Sequence, residues 1–155
     1  MTYPELLFDC AGMTDEGTFL LDATGRGADR APDFVLHNLS PQVKTLAITL
    51  EDLTHPIKGF THWVIWDIPA ASRIQGGIPA GGRVPGLGAV QGVGYGLHRY
   101  AGPKPPKGKT HCYQFTLYGL DCVLGLGPWA TKRAFLRRAE GHILQKGAVK
   151  GSFKS

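Results

Sequence analysis

The chain has 155 residues, 43% of them hydrophobic and 19% charged, which is typical of one globular domain with a substantial core. We therefore predict a single domain over residues 1–155. No apolar run reaches the roughly 18 residues of a membrane-spanning helix, and the N-terminus lacks a signal-like basic and apolar pattern, so we expect a cytoplasmic protein. The three cysteines form no Cys-x-x-Cys pair, which favours reduced thiols over a disulfide framework or a zinc knuckle.

Charge is unevenly distributed along the chain. Residues 1–90 contain six Lys and Arg against ten Asp and Glu, whereas residues 91–155 contain eleven against two. A basic C-terminal third could attract phosphate groups, acidic peptides or nucleic acid, or it could simply be a solvated face. The sequence shows no RNA-binding aromatic motif, no zinc-finger spacing and no helix-turn-helix pattern, so we expect no nucleic-acid partner.

Strand patterns dominate the first half of the chain. Hydrophobic runs rich in β-branched and aromatic residues predict strands, in chain order, near residues 6–8, 33–36, 45–50 and 62–68. The run at 45–50 is apolar almost throughout, which predicts burial on both of its faces. Within 62–68, strict alternation would place His62 on the same face as Val64 and Trp66.

Residues 70–101 show little regular structure. Nine glycines fall between Gly76 and Gly96, and loops of this length inside a compact domain are usually functional or mobile. Apolar residues recur through the segment, so we expect it to pack inward rather than to serve as a linker. These residues are Val84, Leu87, Val90, Val93, Tyr95 and Leu97.

The C-terminal part predicts a strand at 112–120, a helix from Thr131 to about Leu144, and a last strand within 147–153. Thr131 is a suitable N-cap, and the apolar residues of the helix fall near one face. Many short strands, one late helix and abundant turns predict a mainly β protein. We expect a β-sandwich with a C-terminal helix and a long Gly/Pro-rich loop.

A proline-rich stretch precedes the predicted strand at 112–120. Its prolines hold the backbone extended, and the stretch leads directly into His111 and Tyr113. Residues two apart along a strand project from the same face, so an imidazole and a phenol lie together beside a stiff loop. A preformed small-ligand site is one interpretation; the other is that the prolines only prevent edge pairing.

Two more polar residues lie where predicted strands begin or end. Asp52 follows the 45–50 strand, and His62 opens the next one. If these strands neighbour the 112–120 strand, both side chains converge on His111 and Tyr113. A carboxylate beside two imidazoles favours imidazolium, which can donate hydrogen bonds to phosphate oxygens together with the phenol. Each residue also has a purely structural interpretation, with Asp52 capping a turn and His62 satisfied in the core.

Two other site chemistries remain open. His62 or His111 could act as a general base oriented by Asp52 in a hydrolase or lyase, but no Ser or Cys has a nucleophile-elbow context. The same three side chains could hold a divalent metal such as zinc or iron, although they lack the helical His-x-x-x-His spacing. We therefore expect a non-catalytic protein with no metal or cofactor.

Two long motifs are more specific than any single residue. The first joins Asp52-Leu53-Thr54-His55-Pro56 to Thr61-His62-Trp63 and ends at Ile68-Pro69. The second joins Gly94-Tyr95-Gly96, Gly102-Pro103-Lys104-Pro105-Pro106-Lys107-Gly108 and His111-Cys112-Tyr113-Gln114-Phe115. With these motifs the chain resembles the phosphatidylethanolamine-binding protein family, in its short prokaryotic YbhB/YbcL-type branch of Raf kinase inhibitor-like proteins. The resemblance covers about residues 17–153.

The resemblance implies two antiparallel sheets and a small surface pocket for phosphate-type anions or phospholipid head groups such as phosphatidylethanolamine. Some relatives inhibit kinases or other enzymes, and homodimers are common in this branch, so a protein partner and a homodimer are further expectations. The residues that match the family pocket are Asp52, His62, Pro103, Pro105, Pro106, Gly108, His111 and Tyr113.

The chain also departs from the family pattern at two places. Leu53 and Thr54 replace the usual proline and second aspartate, so Asp52 is the only acid at the matching positions. The usual Thr-Cys-Asp-Gly stretch is not evident around residues 24–27. We therefore expect an altered pocket rim and an altered ligand preference.

Overall fold

The computed structural model describes residues 2–155; Met1, the first residue of the predicted domain, lies outside that range. The strands are β1 (Phe8–Cys10), β2 (Phe34–Leu36), β3 (Thr45–Asp52), β4 (Phe60–Pro69), β5 (Arg73–Ile74), β6 (Val90–Gln91), β7 (Thr110–Leu120) and β8 (Ile143–Lys154). The helices of the described range are α1 (Lys132–Ala139) and a 3-10 turn at Leu21–Ala23. Neither is long and apolar enough to cross a membrane.

The strands form two antiparallel sheets, which confirms the predicted mainly β architecture. The larger sheet has the order β6-β4-β3-β7-β8, and the smaller has the order β1-β2-β5. The three long strands β4, β3 and β7 therefore lie side by side in the larger sheet. β3 is buried on both faces, as its apolar run predicted.

The main core lies between the two sheets. Phe34 of β2 and Phe115 of β7 are fully buried and meet edge-to-face, with 5.2 Å between their ring centroids. The other face of the larger sheet is covered by α1, whose Phe135 stacks on Trp66 of β4 at 6.0 Å. The molecule therefore has three layers, with the large sheet between the small sheet and the helix.

The helix is shorter than the sequence predicted. Thr131 caps it as expected, because the Thr131 hydroxyl accepts the N–H of Ala134. The helix ends at Ala139, and Gly141 follows with φ 81°, a left-handed conformation that stops the helix. Ile143 then pairs with Leu120 at the start of β8. The prediction of helix to about Leu144 was therefore wrong, and the last strand is longer than the predicted 147–153.

The 70–101 segment is mostly irregular, as predicted, but it contributes the short strands β5 and β6. Val84 and Val90 are buried in the way that their pattern suggested. Tyr95 and Leu97 are instead 56% and 50% exposed, so the prediction of inward packing was wrong for these two residues. The exposed ring of Tyr95 lines a pocket at one end of the large sheet.

Candidate ligand-binding site

A pocket of about 420 Å³ opens where β3 ends and β4 and β7 begin. Asp52, the last residue of β3, is in register with Phe60 on β4 and Tyr113 on β7, so it lies between two neighbouring strands. This antiparallel register brings together segments that are far apart in sequence. The pocket is lined by Asp52, His55, Pro56, Phe60, His62, Tyr95, Lys104, Pro105, Pro106, Lys109, His111 and Tyr113.

Asp52 and His111 form the best-defined polar pair of the pocket. The Nδ1 atom of His111 lies 2.7 Å from Oδ2 of Asp52, and the two side chains are only 16% and 4% exposed. The other carboxylate oxygen accepts the backbone N–H groups of Thr54 and His55, at 2.9 and 3.1 Å. Because a carboxylate only accepts, Nδ1 carries the proton, and Nε2 of His111 has no hydrogen-bond partner within residues 2–155.

His62 reaches the pocket through an irregularity in β4. Leu50 pairs with Trp63, whereas the next residue of β3, Glu51, pairs with Thr61, so His62 is an extra residue on β4. Such a β-bulge changes the direction of the bulged side chain. The His62 ring consequently packs edge-to-face against Tyr113 at 5.4 Å. The prediction that His62 shares a face with Val64 and Trp66 was therefore wrong, although its predicted place beside Asp52 holds.

Burial sets the protonation of His62 and Tyr113. Burial lowers the pKa of His62, against the opposing effects of the Ala101 carbonyl and the Asp52 charge. Nδ1 of His62 lies 3.0 Å from the Ala101 oxygen, which can only accept, so this nitrogen donates and Nε2 is left as an acceptor. Burial, and then the charge of Asp52, raise the pKa of Tyr113, which keeps its phenol neutral. Of the two imidazolium donors that the sequence predicted, burial therefore disfavours His62.

The proline-rich loop is fastened to the N-terminal segment. The Pro103 carbonyl accepts the N–H of Gly25 at 2.9 Å, and the Pro105 carbonyl accepts the Arg26 guanidinium at 3.0 Å. Asp29 accepts the N–H of Gly102 at 2.7 Å. The segment that departs from the family pattern at 24–27 therefore supports the pocket wall from behind.

The sequence-predicted residues divide into two groups. Six of them line the pocket: Asp52, His62, Pro105, Pro106, His111 and Tyr113. Pro103 is buried behind the loop, where its carbonyl holds Gly25, and it is not among the lining residues. Gly108 lies at an exposed turn with φ 79°, and its N–H donates to the Ser155 carbonyl rather than facing the pocket.

Sequence reasoning missed an aromatic wall. His55 stacks on Phe60 with 3.9 Å between ring centroids and 8° between ring planes. Tyr95 packs against His62 at 5.1 Å and extends the same wall toward solvent. His55 and Tyr95 both belong to the two motifs, so they could have been proposed as site residues. Nothing in the local pattern, however, predicted the ring contacts of His55 with Phe60 and of Tyr95 with His62.

Two lysines were also missed. Lys104 and Lys109 flank the prolines and contribute to the pocket lining. The only acid of the lining is Asp52, whose oxygens are already bonded to three protein donors. The pocket therefore presents net positive charge to an incoming ligand, as expected for anion binding.

The lining limits the chemistry that the pocket can perform. It contains no Ser, Thr or Cys that could act as a nucleophile, although the Asp52–His111 pair could move a proton. The donor atoms of Asp52, His62 and His111 do not form a metal-ligand group within the described part of the chain. The alternative of a divalent metal at these three residues is therefore not retained.

Comparison with known sequences gives a consistent family. The family described as phosphatidylethanolamine-binding protein matches residues 11–154. A UPF0098 protein of Pyrococcus horikoshii is 37% identical over 134 residues, covering 84% of this chain and 68% of the relative. A UPF0098 protein of Methanothermobacter thermautotrophicus is 37% identical over 142 residues, covering 90% and 93%. A Mycobacterium tuberculosis relative, 34% identical over 134 residues and covering 81% and 63%, carries a lipoprotein name.

Two solved structures share the fold. Escherichia coli YbcL, described as a member of the mammalian PEBP family, superposes with a TM-score of 0.84 at 20% identity, covering 97% of this chain and 99% of that one. A homologue of phosphatidylethanolamine-binding proteins from Chlamydia trachomatis has a TM-score of 0.83 at 23% identity, covering 97% and 98%. The order of sheets and helix described above is thus the fold of these proteins.

Proposed function

The chain belongs to the phosphatidylethanolamine-binding protein family, and on that premise we propose that its pocket binds a phosphate-type anion without catalysing a reaction. The anion is either free phosphate or the head group of a phospholipid. Both ligands present the same phosphoryl oxygens, so the same donors would hold either one. The experiments below separate the two sources.

The observation that carries the proposal is the fixed orientation of His111. Asp52 holds Nδ1 at 2.7 Å, which leaves Nε2 without a protein partner in a pocket that also contains Lys104 and Lys109. In the imidazolium form of His111, Nε2 also carries a proton and can donate it to an anion. Charged donors bind phosphate oxygens more strongly than neutral donors do, and a preoriented donor loses less entropy on binding. The anion would therefore lie against Nε2 of His111, with the lysines supplying long-range attraction.

The remaining lining favours a substituted phosphate. Neutral His62 offers an acceptor nitrogen, and the neighbouring Tyr113 offers a phenol. His55, Phe60 and Tyr95 form an aromatic wall beside them. An ammonium group can donate to the acceptor nitrogen and pack on aromatic faces, which supports phosphoethanolamine as a ligand.

The test is calorimetric titration with inorganic phosphate, phosphoethanolamine and a short-chain phosphatidylethanolamine. We expect all three to bind. Tighter binding of the lipid than of phosphate, by at least about tenfold or 1.4 kcal/mol, would identify the head group as the source, and equal affinities would identify the free anion. Absence of heat with all three ligands would refute the proposal.

A matched pair of variants tests the role of His111. We expect His111→Ala to abolish binding and His37→Ala to leave it unchanged. His37 also contacts an aspartate, Asp9, at 2.8 Å, but the pair is exposed on β1 and the segment after β2. Retention of affinity in His111→Ala would exclude the proposed contact.

The same samples address the hydrolase alternative. Phosphorus NMR of the phosphoethanolamine and lipid mixtures would reveal any released phosphate. We expect none in wild type, because the lining offers no Ser, Thr or Cys nucleophile beside the Asp52–His111 pair. Phosphate release by the wild type that disappears in His111→Ala would show that the protein is an enzyme.

A regulatory contact with a protein is a second candidate function. Leu53, Ile57 and Tyr95 expose 45%, 62% and 56% of their surface on the loops beside the pocket. Apolar side chains in such positions favour contact with another protein, either a second copy of this chain or an enzyme such as a kinase. Light scattering of wild type and Ile57→Ser tests the homodimer, with a smaller mass expected for the variant.

A cytoplasmic location stays a prediction, since one relative is named as a lipoprotein.

A further inference from the structure

A second cluster of chemically active side chains lies at the far end of β7 from the pocket. Asp121 and Cys122 follow the last residue of β7, and His142 immediately precedes β8. One donor atom from each of these three residues lies within 4.8 Å of the others. His111 and Asp121 are ten strand positions apart, or about 30 Å, so the cluster is independent of the phosphate pocket.

We propose that Asp121, Cys122 and His142 bind a zinc ion, with water as the fourth ligand. A carboxylate oxygen, a thiolate sulfur and an imidazole nitrogen are all ordinary zinc ligands. The thiolate and the imidazole disfavour magnesium and calcium, which require oxygen ligands. Three protein ligands leave one position of a tetrahedral ion open to solvent.

The geometry requires only small side-chain movements. Bonds of about 2.0–2.3 Å place neighbouring ligand atoms of a tetrahedral zinc about 3.3–3.8 Å apart. Nδ1 of His142 and Oδ1 of Asp121 are now 2.8 Å apart in a hydrogen bond, so they separate slightly as the ion enters. The Cys122 thiol releases its proton to solvent, and the imidazole keeps a single proton on the nitrogen that does not face the metal.

The backbone around the cluster is already fixed. Asp121 donates its N–H to the His142 carbonyl at 3.0 Å, which ties the end of β7 to the start of β8. The Thr45 hydroxyl donates to the Cys122 carbonyl at 2.6 Å. The buried carboxylate of Asp67 accepts the N–H groups of Leu124 and Gly125, which holds the following loop. A zinc ion would therefore bind without ordering the chain, and only side-chain freedom would be lost.

The cluster is also accessible. The Asp121 and His142 side chains are 40% and 39% exposed, and Cys122 is half-buried. An ion can therefore enter from solvent, and a water molecule can occupy the fourth position. The Asp121–His142 hydrogen bond joins the end of β7 to the start of β8, and the Cys122 side chain packs against the core beneath α1. These contacts place the three donor atoms on one side of the sheet end.

Cobalt is the probe for the first test. The metal-free, reduced protein is titrated with Co²⁺, and a thiolate-to-cobalt charge-transfer band with tetrahedral visible bands is expected. Zinc should abolish both sets of bands by displacement, and a competing chelator then gives the zinc affinity. Absence of the charge-transfer band in wild type would overturn the proposal.

Variants assign the ligands. We expect Cys122→Ser to lose the charge-transfer band, and Asp121→Asn to lower zinc affinity by at least about tenfold. Asp121→Asn keeps a side-chain oxygen for the hydrogen bond to His142, so it reports on ligation if other variants fail to fold. Cys112→Ser, which removes another half-buried thiol, should give the same cobalt bands as wild type. A band that survives Cys122→Ser, or disappears in Cys112→Ser, would refute the assignment.

Discussion

Replacing Asp52 by Asn tests whether one carboxylate organises the pocket. The side chain accepts from His111 at 2.7 Å, from Thr54 at 2.9 Å and from His55 at 3.1 Å, and it is only 4% exposed. An amide has one acceptor atom in place of two and adds an N–H group that faces an existing donor. In Asp52→Asn, therefore, either a backbone N–H of Thr54 or His55 loses its acceptor, or His111 moves its ring proton from Nδ1 to Nε2 and accepts the amide N–H. In both cases the hydrogen bonds to a charged carboxylate are lost.

The magnitude follows from burial. A hydrogen bond to a charged group contributes about 1.5–3 kcal/mol, and an unsatisfied buried donor costs about 1–3 kcal/mol. His111 is 16% exposed and can regain part of its solvation through water. We therefore expect Asp52→Asn to lower the free energy of unfolding by about 2–4 kcal/mol. Phosphate binding should weaken as well, because the His111 ring is no longer held in one orientation.

The assay is urea unfolding at pH 7, with Asp9→Asn as the matched control. Asp9 contacts His37 at 2.8 Å, nearly the same distance, but its side chain is 79% exposed. Exposed ion pairs contribute about 0–1 kcal/mol, so the control should change little. Equal losses in the two variants, or a loss under about 0.5 kcal/mol in Asp52→Asn, would show that burial of the pair does not matter.

The other predictions concern the pocket wall, the protonation of His62 and the core. Burial lowers the pKa of His62, so its contribution to stability is present above the unfolded-state pKa of about 6.5 and is lost as the pH falls toward the lower folded-state pKa. His62→Gln should therefore flatten the pH dependence of the unfolding free energy, measured by urea unfolding between about pH 7 and pH 5. A Cβ atom at Gly102 would collide with the Ala23 carbonyl, so Gly102→Ala should displace the proline-rich loop and weaken phosphate binding in the calorimeter; unchanged affinity would mean that the loop position is not needed. Phe115 is fully buried against Phe34. Phe115→Ala should therefore lower the unfolding free energy by about 3–5 kcal/mol in the same urea assay. A much smaller loss would indicate that neighbouring side chains fill the cavity left by the phenyl ring.

Strands with a clear hydrophobic pattern could be predicted from the sequence. β3, β4 and β7 combine strand-forming residues with sharp boundaries, and the structure has them at 45–52, 60–69 and 110–120. The helix end was missed because the apolar spacing continues past Gly141, where the chain changes from helix to strand. Hydrophobic period alone cannot tell a helix that continues from a strand that begins, since both need apolar residues.

In the candidate site too, some residues could be placed from local sequence patterns and others could not. Asp52, His111 and Tyr113 were predicted together because each lies at a strand end, where the direction of a side chain follows from strict alternation. The direction of the His62 side chain depends on a β-bulge. A bulge is defined by how two strands pair, so the sequence of β4 alone does not predict it. The support of the proline-rich loop by Gly25, Arg26 and Asp29 depends on contacts between distant segments, so no local pattern could reveal it.

The burial of β3 on both faces has a consequence for how the protein opens. Its amide protons lie in the middle of the large sheet, with neighbours β4 and β7 on either side. We expect such amides to exchange with deuterium only when the whole domain unfolds, and those of the mostly exposed 53–59 loop to exchange through local fluctuations. Asp52 is the final residue of β3, so we expect the backbone position of this carboxylate to persist for as long as the native state itself.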